Sequence, residues 1–155
     1  MSSTLVFPYG ITIEENGHLH LFPAAEAGFP SKDGGWFTLF LLVDSGAVTS
    51  ALPKHDASAF GIDPETGQER AIAGIEGVAM KGWEHVVRIR LGDDLLDIPL
   101  LFVDSDKAPR VLGREGIFDR FTIIFEETRR RTGLLDPKAP PAKAVGHMLD
   151  EGARQ

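Results

Sequence analysis

The chain has 155 residues, a formal net charge of −7 and no cysteine. Its length suits one domain with a hydrophobic core, and its 43% hydrophobic and 25% charged residues are ordinary for a soluble globular protein. The negative charge argues against a nucleic-acid partner, because phosphate binding needs a concentrated basic face. The absence of cysteine excludes disulfides, thiolate chemistry and cysteine-based zinc sites.

The first residues lack the basic region and the long apolar core of a signal peptide. No apolar run approaches the length that spans a bilayer. We therefore expect a cytoplasmic protein without a membrane partner.

The first predicted element is a β-hairpin. Ile11–Ile13 and His18–Phe22 flank an Asn16-Gly17 turn signal. His18 and His20 share one face of the second strand and so suggest a pair of metal ligands. No third histidine or carboxylate follows at motif spacing, so solvent-facing histidines are the favoured interpretation and a metal-dependent enzyme is the weakest hypothesis. We expect neither a metal nor a cofactor.

The next elements place a carboxylate at the end of an apolar strand. Residues 23–35 are rich in Ala, Gly and Pro and predict a loop. The run from Trp36 to Val43 predicts a strand buried on both faces. Asp44 follows it at once, where an unpartnered charge is costly. We identify Asp44 as the candidate catalytic residue. Its predicted active-site loop consists of Ser45, Gly46 and Ala47.

Beyond this loop the chain predicts a second hairpin. A short helix is expected over residues 53–60, ended by Gly61. Two extended arms within residues 70–80 then flank a glycine-rich tip, which could lie over a ligand or be an ordinary surface hairpin. The tip consists of Gly74, Ile75, Glu76 and Gly77.

A third hairpin is clearer in the sequence. Strands of alternating residues, Val87–Leu91 and Leu96–Phe102, meet at a Gly-Asp-Asp turn. Asp93 and Asp94 are therefore interpreted as turn residues and not as an acid–base pair. A further apolar strand ends at Leu112-Gly113-Arg114 before a short helical turn, and a last strand is expected over residues 121–125.

Strands outnumber helices, so the predicted fold class is all-β, a small closed β-barrel with one or two short helices. The predicted domain covers residues 1–132, with its core at about 37–126. Residues 133–155 are rich in Pro and Ala and predict a flexible tail.

Three landmarks together resemble the retropepsin-like family of single-domain aspartic proteases, which includes the retroviral proteases. The Asp44-Ser45-Gly46-Ala47 segment is similar to that family's active-site loop, the 74–77 tip to its flap, and Leu112-Gly113-Arg114 to the end of its second apolar strand. The resemblance covers roughly residues 38–125. Val48 departs from it, because members often carry a polar or acidic residue there. In retroviral members that acid pairs with the arginine, so Arg114 needs another partner, such as Glu115 or Asp119.

The resemblance implies an aspartic endopeptidase that is active as a homodimer on a peptide or protein substrate. A water activated by two Asp44 carboxylates would hydrolyse the peptide bond. Only one Asp-Ser-Gly motif is present, so a dyad needs two chains that meet across a twofold axis. By the same resemblance, Ser45 would brace the interface and the 74–77 tip would close over the substrate. The alternative hypothesis is a catalytically inactive binding or assembly module with this fold.

Overall fold

A computed structural model describes residues 4–73 and 79–154, and within these it confirms the all-β class. The strands are β1 Thr4–Pro8, β2 Gly10–Ile13, β3 Leu19–Phe22, β4 Ala24–Pro30, β5 Trp36–Val43, β6 Ser50–Pro53, β7 Gln68–Ala73, β8 Ala79–Leu91, β9 Asp94–Val103, β10 Val111–Leu112, β11 Thr122–Glu126 and β12 Arg131–Leu135. The helices are α1 Ala57–Phe60 and α2 Pro140–Gly152. Short 3₁₀ turns lie at Lys54–Asp56, Pro64–Thr66 and Glu127–Arg129.

The main sheet has seven strands in the order β4-β5-β10-β6-β9-β8-β7. A further pairing between β4 and β8, at Gly28 and Arg90, closes the sheet into a ring. The predicted third hairpin is confirmed as β8 and β9, with Val87 opposite Ile98 and Ile89 opposite Leu96. These apolar side chains are buried, because alternate residues of a strand point to the same side of the sheet.

The core of the described residues is a cluster of aliphatic and aromatic side chains contributed mainly by the ring. Phe60 of α1 joins it, with its ring centroid 5.2 Å from those of Phe29 and Phe37. Burying each such side chain stabilises the fold by about 1.5–3 kcal/mol. The short helix therefore attaches the segment after β6 to the ring.

The expectation of a loop over residues 23–35 is wrong for most of that segment. Ala24–Pro30 forms β4 and pairs antiparallel with β5 along its whole length, from Ala24 opposite Leu42 to Pro30 opposite Trp36. Its alanines are buried against the large residues of the core. Ala, Gly and Pro are poor strand formers, but packing against neighbouring strands outweighs intrinsic preference.

A second sheet has the order β1-β12-β11. It packs Leu5, Phe7, Ile123 and Leu134 against the core. Towards the end of the chain, residues up to Leu135 complete β12, and α2 follows. Proline in the first turn and several alanines favour this helix. A domain limited to residues 1–132 with a flexible tail stays a prediction.

The first predicted hairpin is confirmed as β2 and β3, which form a two-stranded sheet of their own. Gly17 takes a positive φ of 82° in the turn, a conformation that favours glycine. Among the described residues, no helix combines the length and hydropathy needed to cross a membrane.

Candidate active site

The backbone of Asp44 is held on two sides. β5 ends at Val43, whose N–H donates to the Pro23 carbonyl at 2.9 Å. The N–H of Asp44 donates to the Leu112 carbonyl at 3.1 Å, which continues the parallel pairing of β5 with β10. The carboxylate therefore stands at a fixed point where a central strand leaves the sheet.

The side chain of Asp44 is held by its own turn. The N–H of Gly46 donates to Asp44 Oδ1 at 2.8 Å, and the N–H of Ala47 donates to the Asp44 carbonyl at 3.3 Å. A Cβ atom at Gly46 would lie only 3.2 Å from Oδ1, so a side chain there would crowd the carboxylate. Asp44 is half-buried and Ser45 is exposed, so the turn is at the protein surface.

The segment after β10 is joined to this turn by backbone hydrogen bonds. The N–H of Arg114 donates to the Ala47 carbonyl at 3.0 Å, and that of Glu115 donates to the Val48 carbonyl at 2.9 Å. A Cβ atom at Gly113 would lie 2.6 Å from the Thr49 carbonyl carbon, a distance that real Cβ atoms do not show. The structure thus brings two separate sequence landmarks, Asp44–Ala47 and Leu112–Arg114, into direct contact.

The ion pair expected for the Arg114 side chain is not found among the described residues. That side chain is exposed, and within the described ranges it forms no ion pair with Glu115, Asp119 or any other carboxylate. Val48, which stands where relatives often carry the partnering acid, is 57% exposed.

Sequence reasoning missed Ser50. Its side chain is fully buried, and its hydroxyl accepts a hydrogen bond of 2.9 Å from the Gly113 N–H. The only available signal was a serine within the apolar stretch of residues 48–53. Its partner lies 63 positions away, so the role of the hydroxyl is visible only after folding.

Sequence reasoning also missed an ion pair that anchors the loop before β10. The Arg110 guanidinium donates to both carboxylate oxygens of Asp56, at 2.7 and 2.9 Å. These hydrogen bonds raise the pKa of Arg110, although partial burial opposes the shift. The Arg110 carbonyl accepts from the Leu42 N–H at 2.9 Å. The pair therefore connects the 3₁₀ turn after β6 to β5, the strand that precedes Asp44.

A cavity of about 590 Å³ lies beside β5. Its apolar lining includes Phe22, Phe40 and Leu42, and its polar lining includes His55 and Arg110. Leu42 precedes Asp44 by two residues, so the cavity adjoins the strand that carries the carboxylate.

The predicted flap tip, Gly74 to Gly77, lies outside the described residues. The strands on either side of it, β7 and β8, pair as far as Ala73 and Ala79. His20 contacts Glu14 at 2.8 Å on the protein surface, and the described part of the chain holds no group of three His, Asp or Glu side chains that could bind a metal. Asp93 lies in the turn between β8 and β9, as predicted, whereas Asp94 is the first residue of β9.

The ring of strands, with an Asp-Ser-Gly turn at the end of β5 joined to a Leu-Gly-Arg segment after β10, defines the retropepsin-like class. A family model described as "gag-polyprotein putative aspartyl protease" matches residues 36–116, more than half of the chain. The chain therefore belongs to this family of aspartyl proteases, and the resemblance seen in the sequence is confirmed.

The solved structures that are similar to this one include two proteases. A retropepsin-like aspartic protease from Rickettsia conorii aligns with a TM-score of 0.57 and 18% identity, over 85% of this chain and 98% of that chain. The EIAV protease complexed with the inhibitor HBY-793 aligns with a TM-score of 0.45 and 22% identity, over 60% of this chain and 82% of that chain. At such identities the Rickettsia similarity shows the fold alone. No curated protein matches the chain.

Proposed function

We propose that this protein is an aspartic endopeptidase that is active as a homodimer, with one Asp44 from each copy in the catalytic dyad. The observation that carries the proposal is the Asp44 carboxylate itself. In a chain of an aspartyl protease family, it is held at the end of β5 by the Gly46 N–H and yet reaches the surface.

The chemistry requires two carboxylates that share one proton. One takes a proton from a water molecule, whose oxygen attacks the scissile carbonyl carbon, while the other, protonated, polarises the carbonyl oxygen. The C–N bond then breaks and a proton passes to the departing amine. Two adjacent carboxylates do not ionise independently, and aspartic proteases are the familiar example, so the titration belongs to the pair.

The arrangement around Asp44 suits one half of such a dyad. Oδ1 accepts the Gly46 N–H, and within residues 4–73 and 79–154 no hydrogen bond reaches Oδ2. That second oxygen is available to a water molecule and to a second carboxylate. Ser45 is exposed beside it and would brace the two loops across the interface.

The second carboxylate must come from another copy of the chain. No other Asp-Ser-Gly or Asp-Thr-Gly occurs in the sequence, and Asp104-Ser105-Asp106 lacks the glycine. Asp104 and Asp106 also have partners of their own, Lys54 at 3.6 Å and His55 at 3.0 Å. A twofold axis beside Asp44 would supply the missing group.

The substrate we propose is an extended peptide segment of a protein. It would gain strand-like hydrogen bonds between the active-site floor and the 74–77 tip acting as a flap. The cavity beside β5 offers apolar surface from Phe22, Phe40 and Leu42 to a side chain of that peptide. We place this activity in the cytoplasm.

Replacing the carboxylate tests the proposal. Asp44→Asn is nearly isosteric but cannot act as a base, so we expect loss of peptide hydrolysis with an unchanged far-UV spectrum and dimer mass. Peptide-library cleavage followed by mass spectrometry measures the turnover. Asp93→Asn, at an exposed turn, is the matched control and should cleave like the wild type. Undiminished turnover by Asp44→Asn would refute the assignment.

A second candidate function is a binding or assembly module without turnover. The exposed Val48 and the Arg114 side chain, which has no ion-pair partner in the described part of the chain, favour it. Specific peptide binding by the wild type, with no cleavage of any bound peptide between acidic and neutral pH, would support this alternative.

A further inference from the structure

One face of the β2–β3 hairpin is aliphatic and uncovered. Ile11 pairs with Leu21 and Ile13 pairs with Leu19, so the four side chains point to the same side. They are 64%, 44%, 69% and 65% exposed in that order. We call these four residues the aliphatic face.

Nothing in the described part of the chain covers this face. Among the described strands, β2 and β3 pair only with each other, and a lone two-stranded sheet is marginal in water. The face exposes on the order of 400 Å² of apolar surface, about as much as the largest patch of an ordinary monomer, which is often functional. This area is also about half of the surface that each partner buries in a protein–protein interface of standard size.

The hairpin joins the body of the protein beside the candidate catalytic loop. β3 passes through Pro23 into β4, and the Pro23 carbonyl accepts the N–H of Val43, the residue before Asp44. A second copy whose Asp44 approached this one would therefore meet the base of the hairpin. The base of the hairpin, and with it the aliphatic face, therefore lies near the contact that a shared dyad requires.

We propose that the aliphatic face is a dimer contact that seats a second copy of this chain. This inference rests on the proposed function, because it names the surface that holds the two Asp44 residues together. A twofold axis can place an apolar face against the same face of its partner, so no second type of surface is needed. A membrane surface is a poorer occupant, because Glu14 and Glu15 at the hairpin turn and the net charge of −7 oppose anionic headgroups.

Cysteine cross-linking tests this contact directly. The chain has no cysteine, so any link through a single introduced thiol joins two copies. Ile11, Ile13, Leu19 and Leu21 are each replaced by Cys and treated with a short bismaleimide at low protein concentration. Val86→Cys is the matched control, because Val86 is 76% exposed on β8. We expect at least one hairpin position to link about tenfold faster than the control. Rates no faster than the control at all four positions would overturn the proposal.

Charge substitution gives a second, independent measurement. The double variant Ile13→Glu with Leu19→Glu should raise the dimer dissociation constant at least about tenfold in sedimentation equilibrium. Val86→Glu should leave that constant unchanged. An unchanged constant in the folded double variant would overturn the proposal. If the double variant fails to fold by circular dichroism, the cross-linking rates decide.

The same experiments separate this inference from the proposed function. If the hairpin cysteines cross-link but the protein has no peptidase activity, the dimer contact is supported and the proposed enzymatic function is rejected. If the protein is an active dimer but its hairpin cysteines do not cross-link, the proposed enzymatic function is supported and the dimer contact is rejected. Binding to phosphatidylserine vesicles, with hairpin cross-linking no faster than the control, would replace the second copy with a lipid surface.

Discussion

At the scale of single residues, Gly113 is a position beside the candidate site where the structure leaves no room for a side chain. Its Cα lies so close to the Thr49–Ser50 backbone that any Cβ atom would overlap it. Because the neighbour is backbone and belongs to the segment that joins Asp44–Ala47 to β6, it cannot move without disturbing the candidate active site.

Gly113→Ala should therefore lower the free energy of unfolding by about 1–3 kcal/mol, the usual cost of overpacking. Gly146→Ala is the matched control, because Gly146 lies inside α2 with no atom within 4 Å of its added Cβ. That control should be neutral or stabilising by up to about 1 kcal/mol. Urea unfolding of both variants measures the difference. Equal stabilities would show that the contact at Thr49 is looser than the structure indicates.

Some residues of the candidate site could be predicted from the sequence, and others could not. Asp44 and Gly46 are two positions of one short motif, so the sequence alone indicated both. The hydroxyl of Ser50 and the ion pair of Asp56 with Arg110 depend on partners 63 and 54 positions away. No local pattern specifies such partners, because only the fold brings them together.

At the scale of elements, β8 and β9 were predictable and β4 was not. Alternating apolar and charged residues such as Arg88 and Ile89 show a half-buried strand directly. Residues 24–30 contain mostly Ala, Gly, Phe and Pro without that alternation. β4 is a strand because β5 and β8 hold both of its edges, and such tertiary support leaves no trace in its own sequence.

The link between Asp56 and Arg110 belongs to this scale, because it ties the loop before β10 to the turn after β6. Asp56→Asn should lower the free energy of unfolding by about 1–2 kcal/mol, since the Asp56 side chain is only 10% exposed and loses charge-assisted hydrogen bonds. Thermal or urea unfolding measures the loss.

Asp97→Asn is the control for that link. It removes a similar two-bond pair with Arg88, but both side chains are at least half exposed, so water screens the pair. We expect Asp97→Asn to lower the free energy of unfolding by less than Asp56→Asn does. A larger loss at Asp97 than at Asp56 would contradict the anchoring role of Arg110.

At the scale of the whole molecule, acid should weaken the fold through two carboxylates. The hydrogen bond from Arg88 holds the pKa of Asp97 below its usual 3.8, and that from Lys54 holds the pKa of Glu65 below its usual 4.5. The unfolded chain therefore binds these protons first as the pH falls. The stability from both pairs is complete above the usual pKa values and is lost as the pH falls through the lower folded values.

The double variant Glu65→Gln with Asp97→Asn should consequently lose less stability than the wild type when the pH is lowered from about 5 to about 2. Urea unfolding at a series of pH values gives the slope of the free energy of unfolding against pH for the wild type and for the double variant. Both groups are exposed, so the difference in slope should be small and should decrease further in high salt. Identical slopes at low salt would show that neither pair stabilises the folded state.

The class of the whole molecule was predictable because its landmarks are local and ordered along the chain. The proposed need for a second copy rests on a count, since a dyad takes two such motifs and the sequence has one Asp-Ser-Gly. The surface that would seat that copy did not follow, because Ile11 and Leu19 look like ordinary strand residues in the sequence. Only the fold shows that no third strand and no core side chain of the described residues covers them.

The central claim is that one active site needs Asp44 from two chains, and subunit mixing tests it most directly. Wild-type and Asp44→Asn chains are equilibrated in varying proportions at constant total concentration, and the rate of peptide hydrolysis is measured. If both carboxylates are required, the rate follows the square of the wild-type fraction, so an equal mixture retains about one quarter of the activity. A rate proportional to the wild-type fraction, about one half at equal mixture, would show that each chain carries a complete site and would contradict the account.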